Sequence, residues 1–184
     1  MRSLKKLLLV AAMVLALGMV GVVAANAADF DTVDVTVTVQ SLGVSVSPAA
    51  KAIGVVAAGS TDEIPTGAVV VTNSGNVSEK YKLKLTDPAS WTAVATLPGS
   101  EEYRLEAVFK GTQGVAADFD ETNDVLATGD TTCDGTKFAT AADQDGYDVA
   151  TTVTQDLYFC FDAPSDTAET TEQSITVTVT ALVM

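Results

Sequence analysis

Gly67-Ala68-Val69-Val70-Val71-Thr72-Asn73-Ser74-Gly75-Asn76-Val77-Ser78-Glu79-Lys80-Tyr81-Lys82-Leu83-Lys84-Leu85 is the stretch that decides the fold class. Val69, Val70 and Val71 form a β-branched run, the shape that packs best on a pleated sheet. Asn73, Ser74, Gly75 and Asn76 follow, residues that tolerate positive φ and supply tight reversals. Beyond them the period becomes two. Tyr81, Leu83 and Leu85 alternate with Lys80, Lys82 and Lys84, so this segment should be a strand with one buried and one wet face. The whole stretch is expected to form two antiparallel strands joined at a polar turn.

Outward from this centre the same signals recur. Upstream, residues 33–39 read Val-Asp-Val-Thr-Val-Thr-Val, with valine at every odd position. At Gln40 and Ser41 the phase slips, and the apolar set continues on even positions as Leu42, Val44 and Val46. A slip of one residue inverts the faces, so the spacing predicts a β-bulge near Ser41, a change of sheet, or a first half that packs elsewhere than on its own domain. Residues 52–58 offer a weaker strand. Downstream, Trp91 reads as a large core or edge plug. Residues 102–110 alternate Tyr103, Leu105, Ala107 and Phe109 with more polar neighbours and predict a half-buried strand. Residues 111–155 are rich in Gly, Asp, Thr and Ala and predict a long loop region carrying short elements. Residues 156–162 predict an aromatic strand, and 173–184 a final one with Ile175, Val177 and Val179 facing away from threonines. Seven or eight strands separated by turn signals, with no amphipathic helix after residue 27, predict an all-β fold, an antiparallel β-sandwich of immunoglobulin-like or jelly-roll type.

Residues 1–27 stand apart. Arg2, Lys5 and Lys6 precede an apolar run from Leu7 to Ala25 that ends in Ala25-Asn26-Ala27, the pattern of a cleaved secretory signal peptide. Residues 28–184 are then expected to be a single secreted domain. Of the chain's 10 basic and 24 acidic residues, cleavage removes three basic ones and leaves a net charge of about −17. That balance repels phosphate backbones and anionic membrane surfaces, so neither nucleic acid nor a lipid surface is an expected partner. Cys133 and Cys160 form an even pair in a chain bound for an oxidising compartment. A Cys133–Cys160 disulfide is therefore expected, closing a loop that stabilises the fold by about 3 to 4 kcal/mol.

The segment from Val69 to Asn76, the alternating Tyr81-to-Leu85 strand and Trp91 together resemble the T-N-x-G-N hairpin of bacterial secreted immunoglobulin-like domains. More loosely, the order of signal segment, alternating N-terminal strand, N-x-G hairpin and all-β body is similar to the camelysin-like biofilm-fibre proteins. That second resemblance implies a subunit that polymerises outside the cell by passing a terminal strand to a neighbour.

The chain contains no histidine, which removes the commonest general base and the commonest zinc ligand together. Catalytic triads of the usual kind are excluded, no enzyme activity is expected, and paired carboxylates acting on glycosides are the remaining enzymatic option. Calcium is the cofactor that acidic loops suit best, because hard cations take oxygen ligands. Two clusters are candidates: Asp143, Asp145 and Asp148 around Gly146, and Asp118, Asp120 and Asp124. Neither completes an EF-hand. The terminal strand carries the leading functional expectation, a donor strand whose Val33, Val35, Val37 and Val39 insert into a second copy of the chain. Head-to-tail contacts of that kind do not close and so build filaments. The expected protein is thus an extracellular structural subunit whose partner is itself. The alternative is a monomeric binding or adhesion module, calcium-dependent or not, that presents the 111–155 loops to a glycan or protein.

Overall fold

A computed structural model describes residues 32–140 and 144–184 of the chain. The expected signal segment lies outside the described residues. Within them, eight strands run in chain order: β1 (Val44–Ser47), β2 (Val69–Asn73), β3 (Glu79–Thr86), β4 (Thr92–Ala93), β5 (Glu102–Phe109), β6 (Thr131–Thr132), β7 (Thr154–Asp162) and β8 (Thr176–Val183). One 3₁₀ turn, Ala116–Asp118, falls between β5 and β6. The strands make two sheets, ordered β1-β2-β7-β5-β4 and β6-β3-β8. The pairing is antiparallel except between β4 and β5, which run parallel over two residues.

The period-two reading of β3 matches its burial: Glu79, Tyr81, Leu83 and Leu85 are buried, and the three lysines between them are half-buried. The expected hairpin between β2 and β3 does not form. β2 pairs with β1 and β7, whereas β3 pairs with β6 and β8. Residues 74–78 therefore carry the chain from one sheet to the other. Asn73 shows why. Its side chain is fully buried, its Nδ2 donates to the carbonyls of Val77 and Val149 at 2.8 Å each, and its Oδ1 accepts from the Gly75 amide at 2.8 Å. The turn residues thus satisfy the chain at a crossing instead of closing a ladder, and both apolar sets belong to one core. Gly75 permits the crossing because a Cβ there would lie 2.5 Å from the Ser41 carbonyl oxygen.

Val69 and Val71 of β2, Tyr81, Leu83 and Leu85 of β3, Tyr103, Leu105, Ala107 and Phe109 of β5, and Leu157 and Phe161 of β7 form one hydrophobic cluster, with Val177, Val179 and Ala181 of β8 packed against it. Trp91 plugs its edge as expected. The indole stacks on Phe161 at 6.2 Å between centroids, and its Nε1 donates to Thr167 Oγ1 at 3.1 Å.

Three further expectations change. Residues 52–58 form no strand, although Ile53 and Val56 pack partly buried against the core. β5 is buried on both faces, with Arg104, Glu106 and Val108 as hidden as the core residues between them. The 111–155 segment is responsible: the backbone of Asp124 and Leu126 hydrogen-bonds to Ala107 and Leu105, and Phe109 donates to the Phe138 carbonyl. Upstream, residues 32–43 carry no strand, so the alternating valines precede β1 without joining a described sheet. Residues 39–184 form one compact unit, and residues up to Thr38 are grouped apart from it.

Candidate functional site

Val33, Val35, Val37 and Val39 are 85, 82, 80 and 76% exposed. Four β-branched apolar side chains at alternate positions, each exposed at a cost in free energy, are better placed against a partner surface. The sheets end in four strands. β4 and β6 offer two residues each and β1 offers four, but β8 offers eight and is paired only with β3 among the described residues. Its Val177, Val179 and Ala181 lie opposite Leu85, Leu83 and Tyr81, and Thr176, Thr178 and Thr180 alternate with them. An unpaired strand edge of that length is a template for another strand.

The calcium candidates are not drawn together. Asp143 lies outside the described residues. Asp145 Oδ1 accepts the Tyr147 amide at 2.9 Å, and Asp148 is an exposed turn residue at φ 50°. Asp118 Oδ2 accepts from Lys110 Nζ at 2.5 Å and from the Val115 amide at 2.8 Å. Burial raises the Asp118 carboxyl, but these two donors outweigh it and leave its pKa below the ordinary range. Asp120 caps its own turn, accepting from the Thr122 amide and Asn123 Nδ2, and its pKa is lowered chiefly by that amide. Asp124 Oδ2 accepts the Asp120 amide at 2.8 Å, and burial pushes its carboxyl up to about 6. Asp118, Asp120 and Asp145 each accept from backbone amides a few residues away, the use Asp side chains commonly find in loops, and Asp124 Oδ1 is buried without a hydrogen-bond partner.

The expected Cys133–Cys160 bridge is not formed: both thiols are free and buried. Cys133 belongs to the core cluster between the sheets. Cys160 points the other way, because β7 sends Leu157, Phe159 and Phe161 toward the core and Tyr158, Cys160 and Asp162 to the opposite face. The sheet itself separates the two sulfurs.

That opposite face carries a polar cluster that the sequence reading missed. Arg104 and Glu106 of β5 lie directly across from Asp162 and Cys160 of β7. All four are at most 5% exposed. Arg104 Nε donates to Asp162 Oδ2 at 2.8 Å and its Nη1 pairs with Glu121 Oε1 at 2.7 Å. Glu106 Oε2 sits 3.8 Å from Arg104 Nε, while its Oε1 is buried without a hydrogen-bond partner. Asp62 closes the cluster from the solvent side. Backbone bonds between Glu63 and Phe161 bring it over β7, and its amide donates to Asp162 Oδ1 at 2.9 Å. Burial, which outweighs the attraction of Arg104, pushes the Glu106 carboxyl up to about 7. Burial, followed by repulsion from Glu106, Asp62 and Asp162, pushes the Cys160 thiol up to about 12. The one signal available in the sequence was that polar residues alternate at 104 and 106 and again at 160 and 162 inside otherwise apolar strands. Compared with known proteins, the chain matches no protein family, no curated protein and no solved structure.

Proposed function

We propose that the two sheets form a β-sandwich and that the protein is a secreted structural subunit, assembling into extracellular filaments by strand addition. The observation that supports this reading is the exposure of Val33, Val35, Val37 and Val39, 76 to 85%, in an alternating stretch that joins no described sheet. The acceptor is the β8 edge of a second copy. A seven-residue valine and aspartate/threonine alternation fits an eight-residue valine and threonine edge: apolar side chains continue the row of Val177, Val179 and Ala181, and polar ones continue the threonine row. Burying four valines that are now mostly exposed contributes roughly 5 to 10 kcal/mol. Association costs about 4 to 15 kcal/mol, so the valines and the backbone ladder are both needed.

Electron microscopy of the purified protein beside the V35D/V37D variant tests the reading. Both positions are exposed, so the variant keeps its fold and loses only the inserted face. Filaments from the parent and dispersed monomers from the variant are expected. Filaments from both would remove the donor-strand role from residues 33–39. Monomers from both would overturn assembly and leave the monomeric binding module.

A further inference from the structure

We propose that Asp62, Cys160 and Asp162, with the buried carboxyl of Glu106 beside them, form a binding site for a single divalent transition-metal ion of zinc-like character. Among the described residues, Cys160 Sγ, one carboxylate oxygen of Asp62 and one of Asp162 lie within 4.8 Å of one another. A cation between them would stand at coordination distance from all three after small side-chain adjustments. Glu106 supplies an independent indication. It faces Cys160 across the β5–β7 ladder on the same side of the sheet, it is 3% exposed, and its Oε1 has no partner. Buried carboxylate oxygens are almost always hydrogen-bonded or metal-bound, and this one belongs to the residue directly across the ladder from Cys160.

The ligand chemistry selects the metal class. Two carboxylates and one sulfur, with the fourth position left to water or to Glu106, are a set of mixed softness, which suits zinc or cobalt(II) in tetrahedral coordination. Calcium and magnesium prefer oxygen alone and more ligands. Arg104 takes Asp162 Oδ2 and not Oδ1, and Oδ1, which accepts the Asp62 amide, keeps a second lone pair for an ion. Arg104 holds Asp162 in place from outside the ligand set, a role that charged neighbours of metal ligands commonly play. Charge favours a cation as well: Glu106, Glu121 and Asp162 all lie against the one guanidinium of the cluster, and Asp62 adds a fourth acid beside Asp162. Access is from Asp62, which is exposed.

The binding step balances simply. Without metal the Cys160 thiol keeps its proton at neutral pH, as an ordinary cysteine does. The metal displaces that proton, which leaves to solvent as the metal–sulfur bond forms, and no electron is transferred.

Cobalt(II) alone is the probe. Titrated into the purified protein, it should produce a near-ultraviolet thiolate-to-cobalt charge-transfer band and the visible bands of a tetrahedral ion, saturating at one equivalent. C160S should lose the charge-transfer band, C133S should keep it, and E106Q should bind at least tenfold more weakly. Calorimetry of zinc binding in buffers of different ionisation enthalpy needs no variant, and should report release of at least one proton. Absence of the charge-transfer band at saturating cobalt, or its persistence in C160S, would overturn the proposal. So would zinc binding without proton release.

Discussion

Glu106→Gln should make the protein more stable at alkaline pH, and the gain should vanish in acid. In the folded chain the Glu106 carboxyl is pushed up to about 7 from an ordinary 4.5, mainly by burial. The folded state therefore holds the proton more tightly than the unfolded chain does. Stability from this group is fully present below pH 4.5 and is lost as pH rises through 7, because above that the folded state must bury a charge. The displacement corresponds to about 3 kcal/mol at the limit, and screening near the rim, where Asp62 and Glu121 meet solvent, reduces it to roughly 2 kcal/mol. Glutamine is isosteric with the protonated acid and cannot ionise. Urea unfolding with a chelator present, at intervals from pH 4.5 to 8.5, should show parent and E106Q nearly equal in acid. By pH 8.5 they should diverge by about 2 kcal/mol in favour of the variant. Asp124, raised to about 6 by burial, adds its own fall to both curves and cancels in the difference. Parallel curves would refute the reasoning, since they would mean that Glu106 is solvated or fully neutralised by Arg104.

The crossing between sheets makes a second target: N73A removes two hydrogen-bond donors and one acceptor at a fully buried site and should cost about 2 to 4 kcal/mol in chemical unfolding. L83A empties a fully buried core position and should cost about 2 to 5 kcal/mol by the same assay. G146A should lower the melting temperature sharply, because φ is +65° there and the new Cβ would meet Phe109 at 2.6 Å and Cys133 Sγ at 2.7 Å. Thiol titration under denaturing, non-reducing conditions should count two free cysteines, and far fewer in the native protein, where both are buried. A count of zero after denaturation would restore the disulfide.

Much of the sheet content was legible because alternation is a local property. β3, β5, β7 and β8 each announce themselves by period two or by β-branched and aromatic runs, and each is a strand close to its expected bounds. Pairing was not legible. The Asn73-to-Asn76 turn chemistry is shared by hairpins and by crossings, and what decides between them is which edges of β2 are already occupied, by β1 and β7. The missed polar cluster has the same origin. Arg104 and Glu106 look like the wet face of a half-buried strand until the 111–155 segment is laid against β5. In the acidic loops residue type suggested a shared ligand, and the structure adds a local use that sequence does not show, since Asp118 and Asp120 accept from donors a few residues away. The cysteines failed on parity, since sequence counts thiols but does not say which side of a strand each occupies.

The crossing at residues 74–78 also bears on when the chain can fold. β3 finds its full-length partner in β8, with Glu79 opposite Val183 and Thr86 opposite Thr176, a separation of roughly 90 to 104 residues. β2 waits similarly for β7. Closing such distances is entropically slow, and strands whose partners lie far downstream gain nothing from early collapse. During synthesis at about 5 to 20 residues per second, the first half of the fold emerges several seconds before its partners exist. For that interval the polypeptide remains a pliable thread whose apolar faces have nothing of their own to cover them.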